Sequence, residues 1–313
     1  MADKFPPVKK FLKGYVLGPD SWESEDLVQL QRYAREGRFE YPSAYDGQPR
    51  TFSFTDAGTA LARVGIALRW LATQAALKQE AGFEPVLIRS AAYRYWAERV
   101  QHRFDRFMLQ DFQSGGRPQY LPMLRFQSAV SCLAHVFLLG WQDWALALNR
   151  QVLASLNGGG YFDADEAAHP RAQCFVLKLL SVHFGLEYAD QRHFTRDEPV
   201  YGFLSEHWRT EDTATLQEAL LAALDRHTHQ SVRPKRNGPA FDFSFDEDWY
   251  FPYEVLVVLK LREMAGLPNP PAEALAHPLT GTALGRLPPA TPVYSEDTLD
   301  GVVLRLREEF ADV

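Results

Sequence analysis

Apolar residues recur every three or four positions along most of this chain, and that period limits the folds it can adopt. One stripe consists of Leu61, Val64, Leu68, Leu71 and Ala75. Another consists of Tyr93, Trp96, Val100, Phe104 and Phe107. This spacing places apolar side chains on one face of an α-helix and leaves charged residues on the other face. Only residues 41–54 show enough of a strand pattern to form a short β-hairpin.

Turn and capping residues divide the helical pattern into segments. Residues 120–139 and 144–156 are predicted to form a helical hairpin, because Gly140 ends the first helix. Pro170 precedes a further helix and Gly185 follows it. Apolar stripes mark three more helices, over residues 216–224, 255–261 and 299–310. We therefore predict an all-α fold, an irregular array of antiparallel helix hairpins with about ten helices, in which the helix over 255–261 is central and buried.

The chain has 313 residues, 46% of them hydrophobic, and is long enough for one large domain or two modest ones. We divide it into an N-terminal helical region, residues 1–195, and a C-terminal helical region, residues 196–313. We expect the two regions to form one continuous globular unit. No signature recurs at a fixed period, which argues against a regular solenoid.

The composition limits which classes of partner and which cellular compartment fit this chain. A net charge of −7 argues against a nucleic-acid backbone as the main partner. Two cysteines, Cys132 and Cys174, are too few for a disulfide framework, which favours a reducing compartment. Residues 1–11 lack the pattern of an export signal, and polar residues interrupt the uncharged segment 126–142. We expect a cytoplasmic protein with no nucleic-acid and no membrane partner.

The negative charge is concentrated in one stretch. Residues 197–254 contain twelve acidic and five basic residues, and residues 241–254 within them alternate carboxylates with aromatic rings. We call residues 241–254 the acidic aromatic run. One interpretation is a solvated loop whose rings anchor it to the core, with Pro252 opening the next helix. The other is a protein-binding site, in which rings supply contact area and carboxylates attract a basic partner. That second interpretation assigns seven residues to the partner surface: Asp242, Asp246, Glu247, Asp248, Trp249, Tyr250 and Tyr253.

Two residue pairs that could support chemistry have simpler structural interpretations. His227 and His229 could ligate a metal, but they end a predicted helix, where positions two apart point in different directions. Cys132 and His135 could act as nucleophile and base. Their apolar neighbours instead indicate a core helix, in which a buried cysteine behaves as a small hydrophobic residue.

The glycines at positions 158–160 could cradle a phosphate, but no Lys-Ser or Lys-Thr pair follows them. Asp163, Asp165 and Glu166 lack the spacing of a calcium loop. Acidic residues that open a helix interact favourably with its dipole without any metal. We therefore predict a protein that is not an enzyme and has no catalytic residues, no metal and no cofactor.

The C-terminal third resembles a known group of proteins. The resemblance covers residues 200–290 and depends on short segments in a fixed order: 201–204, His207, Trp208, Arg209, Asp212, 220–225, His227, 250–256, 261–263, 266–268 and 277–279. These segments are similar to those of helical immunity proteins from bacterial polymorphic-toxin systems, which use type VI or contact-dependent secretion. Such proteins protect the producing cell by binding its own toxin in the cytoplasm.

The resemblance implies an immunity protein that neutralises a cognate secreted antibacterial toxin by occluding it. The carboxylates of the acidic aromatic run would then meet a basic toxin surface, with Trp249, Tyr250 and Tyr253 as desolvated anchors. Two other functions stay open. A helical-repeat scaffold would bind peptides in a groove lined by repeated side chains. An all-α hydrolase would need a cleft with convergent acids or a metal.

Overall fold

The computed structural model describes residues 22–42, 49–52, 54–113, 126–157, 171–188, 198–233 and 241–311. These residues form ten α-helices: α1 (Trp22–Glu36), α2 (Phe54–Leu77), α3 (Phe83–Gln113), α4 (Phe126–Leu138), α5 (Gln142–Asn157), α6 (Arg171–His183), α7 (Pro199–His207), α8 (Thr213–Gln230), α9 (Tyr253–Met264) and α10 (Asp297–Glu309). Strands β1 (Phe39–Pro42) and β2 (Pro49–Phe52) pair in antiparallel register. The predicted all-α fold with about ten helices is confirmed, and so is the short hairpin. None of the described helices is both long and apolar enough to cross a membrane.

The two longest helices, α2 and α3, pack together as an antiparallel pair. A Cβ added to Gly65 would lie 3.0 Å from the backbone nitrogen of Arg94, and one added to Gly58 would lie 2.8 Å from a Val100 methyl. Gly58 precedes Gly65 along α2, but its contact Val100 follows Arg94 along α3, so the two helices run in opposite directions. The hydroxyl of Ser90 also donates a hydrogen bond to the Gly65 carbonyl at 2.7 Å. Backbones this close leave no room for a side chain at Gly65.

The predicted central helix is confirmed as α9, which packs against α4, α6 and α8. Eight of its twelve residues are buried, and the charged residues Glu254 and Arg262 are among them. Helix α4 is buried at twelve of its thirteen positions. The helices of the two proposed regions therefore share one interior.

The two ends of the described chain also meet. Helix α10 packs against α1, and the Tyr33 hydroxyl donates a hydrogen bond to Glu309 at 2.7 Å. Arg89 on α3 forms an ion pair with Glu296, just before α10, at 3.0 Å. Contacts thus cross the boundary between residues 1–195 and 196–313, and one hydrophobic core draws on both regions.

Helix α2 departs from the face that its apolar stripe predicts. Leu61 and Val64 are buried, whereas Leu71 is 40% exposed. Arg69 and Thr73 are instead fully buried, on a face of α2 that meets the acidic aromatic run. The run therefore brings polar groups into the interior and changes which residues of α2 face it.

We expect the Gly65→Ala substitution to lower the free energy of unfolding by about 1–3 kcal/mol, because the new methyl group overlaps a packed backbone. The nearest atom, Arg94 Cγ, lies 2.7 Å from the Cβ position. Gly202→Ala in α7 is the control, since no atom outside its own helix lies within 4 Å of its Cβ position. It should raise the free energy of unfolding by about 0.4–1 kcal/mol. Urea denaturation measures both, and equal effects would contradict the close approach of α2 and α3.

Candidate functional site

The acidic aromatic run begins beside the end of α8 and leads into α9. The backbone N–H of Phe243 donates to the carbonyl of Gln230, the last residue of α8, at 3.2 Å. A short 3-10 turn over Asp246–Asp248 follows, and Pro252 stands at the N-cap of α9. The side chains of the run enter the space between α2, α4, α6 and α8.

The structure buries most of the predicted partner surface. Six of the seven residues are at most 8% exposed: Asp242, Asp246, Asp248, Trp249, Tyr250 and Tyr253. Only Glu247 is half-buried. These six side chains offer almost no surface to a docking protein, so the structure does not present them as an exposed surface, and their assignment to partner binding stays a prediction. The physical reason is that each buried carboxylate has cationic or hydrogen-bonding partners inside the protein.

Asp242 joins three helices. Its Oδ2 accepts a hydrogen bond from Arg226 on α8 at 3.0 Å, and its Oδ1 accepts from the backbone N–H of Arg171, the first residue of α6, at 2.9 Å. Its carbonyl accepts from the side-chain amides of Gln127 on α4 and Gln173 on α6, both at 2.7 Å. A carboxylate at the start of a helix is favoured by the helix dipole. Asp242 is therefore a structural junction.

The other predicted residues have internal partners as well. Arg233, whose side chain is 69% exposed, covers Asp246 with hydrogen bonds from Nε at 2.8 and 2.6 Å. The Trp249 indole donates to the Phe243 carbonyl at 2.9 Å. The Tyr253 hydroxyl accepts a short hydrogen bond from the Gln173 side chain. These contacts satisfy the polar ends of rings whose apolar parts belong to the core.

Asp248 belongs to what we call the buried charged cluster, which consists of the buried residues Arg69, Arg94, Ser131 and Asp248 together with the half-buried Glu247. The Ser131 hydroxyl donates to Asp248 at 2.8 Å, and Arg94 reaches the same hydroxyl oxygen at 3.3 Å. Arg69 and Asp248 are both essentially inaccessible and lie 4.0 Å apart. Burial lowers the pKa of Arg69 to about 10, although the negative charge of Asp248 acts to raise it. The guanidinium therefore stays charged at neutral pH.

Arg69 is held by few specific contacts for a buried charge. None of its three guanidinium nitrogens has a hydrogen-bond partner among the described residues, and the group lies over the Phe251 ring at 4.2 Å from the centroid. Arg69 and Arg94 were not among the site residues predicted from the sequence. A local signal did exist, since each stands beside aromatic residues of a predicted helix, but their carboxylate partners are more than 150 residues away.

His227 and His229 have separate environments on α8. His227 is fully buried, with Nδ1 at 2.9 Å from Glu254 and Nε2 at 3.2 Å from the carbonyls of Asp248 and Trp249. His229 is exposed and contacts the Asp225 carbonyl of its own helix at 2.7 Å. The prediction that the two imidazoles point apart at a helix end is confirmed.

The Cys132 and His135 pair lies on α4, as predicted for a core helix. Burial raises the pKa of the Cys132 thiol to about 12, so the thiol is protonated at neutral pH and is a poor nucleophile. Among the described residues, no group of three or more His, Cys, Asp or Glu side chains is placed to hold a metal ion. Residues 158–160, Asp163, Asp165 and Glu166 lie outside the described residues.

Comparison of the chain with protein-family models, with curated proteins and with solved structures gives no match.

Removing one charge of the buried cluster should be costly. We expect Asp248→Asn to lower the free energy of unfolding by about 3 kcal/mol, because it leaves the Arg69 guanidinium buried without a facing carboxylate. Arg69→Met in the same chain should recover part of that loss. Denaturant titration of both single variants and the double variant gives the coupling energy. Strictly additive losses would contradict a direct interaction between the two charges.

The environment of Glu247 should make the stability of the protein depend on pH. Burial, and then the neighbouring Asp248, raise the pKa of Glu247 to about 7. The folded state thus binds this proton more tightly than the unfolded chain, and the resulting stabilisation is lost as pH rises from about 4.5 to about 7. Relative to wild type, Glu247→Gln should be more stabilising at pH 8 than at pH 5 in urea denaturation. Glu273→Gln, at an exposed position, is the control, and equal effects of Glu247→Gln at both pH values would contradict the shift.

Proposed function

We propose that this chain is an immunity protein that neutralises a cognate secreted antibacterial toxin by binding and occluding it in the cytoplasm. The resemblance over residues 200–290 motivates the proposal. The structural observation that supports it is an exposed acidic face on α7, α8 and the loop between them. The acidic aromatic run has an internal role in this account. It holds α8 and α9 in place and so supports the face that meets the toxin.

The acidic face consists of the exposed carboxylates between α7 and the end of α8: Glu206, Glu211, Asp212, Glu218 and Asp225. Arg209 is the one exposed Arg or Lys within residues 206–225. Helices α7 and α8 pack against each other, so the carboxylates lie on adjoining elements. A surface of this sign attracts a basic partner and speeds its association. Occlusion requires complementary shape and charge and no catalytic group on the inhibitor.

Two members of the face already have local roles. Asp212 is the N-cap of α8 and accepts from the backbone N–H groups of Ala214 and Thr215. Asp225 lies 3.5 Å from the His277 imidazole. Glu206, Glu211 and Glu218 are therefore the carboxylates to change when the face is tested.

The first test expresses the tagged chain with its native neighbouring genes and identifies co-purifying proteins by mass spectrometry. The proposal expects one stoichiometric partner with a toxin domain, whose lethality this chain cancels. If the chain stays folded and neither captures nor neutralises a toxin encoded beside it, the immunity proposal is wrong.

The second test locates the contact. The triple variant Glu206→Lys, Glu211→Lys and Glu218→Lys should slow toxin association at low salt by about tenfold or more and weaken its salt dependence. The control triple Glu36→Lys, Glu80→Lys and Glu308→Lys makes the same change in net charge on other exposed positions. Surface plasmon resonance at several salt concentrations compares the two. Equal association rates for the two triples would contradict the assignment of the face to α7 and α8.

A further inference from the structure

A pocket of about 260 Å³ lies between the start of α3, the end of α4 and residues 283–291. Its apolar walls include Leu87, Leu139, Phe251 and Leu287. The volume is slightly below the range of about 300–1,000 Å³ that is usual for pockets holding drug-sized ligands. The pocket therefore suits a small molecule with an apolar body.

Two buried polar groups line this pocket without partners. His135 is 1% exposed, and neither of its ring nitrogens has a hydrogen-bond partner among the described residues. The hydroxyl oxygen of Thr291 is buried and equally unpartnered. The backbone of Thr291 is fixed, since its N–H donates to the Leu139 carbonyl at 3.0 Å and its carbonyl accepts from the Trp141 indole at 3.1 Å. Native proteins rarely leave buried polar atoms unsatisfied, and a ligand that supplies the partners accounts for both.

The charge around His135 favours a hydrogen-bond acceptor. Burial, and then the positive fields of Arg69 and Arg94, lower the pKa of His135 well below its usual value. The imidazole is therefore neutral and presents one N–H donor. Arg69 lies over the Phe251 ring that forms part of the pocket wall. A negatively charged acceptor would be attracted by these two guanidinium groups, and an ammonium group would be repelled.

We propose that this pocket binds a small carboxylic acid with an apolar body. The carboxylate accepts hydrogen bonds from the His135 N–H and the Thr291 hydroxyl, and the apolar body packs against Leu87, Leu139 and Phe251. Exposed Glu84, Ala283 and Arg286 line the pocket and connect it to solvent. No lining residue belongs to α7 or α8, so this site is independent of the proposed toxin-binding face.

Isothermal titration calorimetry of the full chain with three ligands of equal chain length tests whether the pocket recognises a carboxylate at the polar end of the ligand. Octanoate should bind at a single site, 1-octanol at least about tenfold more weakly, and octylamine not measurably. Equal affinities for octanoate and octylamine would show that apolar contact alone drives binding and would overturn the proposal. No octanoate binding at about 10 mM would also overturn it.

Two variants place the binding in this pocket. Ala283→Trp adds a large ring at an exposed position of the pocket lining and should weaken octanoate binding by at least about tenfold. Val293→Trp is the control, because Val293 is 47% exposed, close in sequence and outside the pocket lining. His135→Phe should retain 1-octanol affinity while losing the preference for octanoate. Unchanged octanoate affinity in either Ala283→Trp or His135→Phe would overturn the proposal.

Discussion

The neutralisation of buried carboxylates is the interaction on which the rest of this structure depends. Asp242 connects α4, α6 and α8 through side-chain and backbone donors, and Asp248 faces Arg69 of α2 across 4.0 Å. Removing a carboxylate from water is expensive unless cations and N–H groups replace the lost hydration. The helices that supply those groups must therefore keep their relative positions. The acidic aromatic run is thus one of the contacts through which the C-terminal helices meet the N-terminal ones.

Most of the helices could be predicted from the sequence because the signal for each of them is local, whereas α1 and α7 were not predicted. A period of three or four residues, a proline before a helix and a glycine after it lie within a few turns of one another. That information placed α5, α6, α9 and α10 within three residues of their observed bounds. Helix α8 is longer than the predicted 216–224, and residues 120–125 of the helix predicted before Gly140 lie outside the described residues. It also identified α9 as central, because its apolar residues leave almost no polar face.

The candidate site could not be predicted in the same way. Four carboxylates among aromatic rings are typical of an exposed binding segment when only the local composition is considered. Their partners are distant in sequence: Ser131 lies 117 positions from Asp248, and Arg69 lies still farther. The local spacing of apolar residues contains no information about pairs so distant in sequence. The same limit applies to the pocket at His135, whose wall combines four separate parts of the chain.

Burial of the run changes how the resemblance to immunity proteins is interpreted. Tyr250 and Tyr253 belong to the segments on which that resemblance depends, yet they are core residues in this structure. At such buried positions the residue type is set by the packing of the helices. In the proposal, specificity for one toxin would come from the exposed surface of α7 and α8.

Hydrogen–deuterium exchange of the full chain, alone and with a toxin captured in the test proposed above, shows most directly whether the acidic aromatic run is internal and whether α7 and α8 form the partner surface. Amides of residues 246–258 should exchange among the slowest in the free protein, and their exchange rates should not change when toxin binds. Amides of residues 206–225 should exchange more slowly in the complex. Rapid exchange of residues 246–258 in the free protein, with protection gained only on toxin binding, would contradict the internal role of the acidic aromatic run.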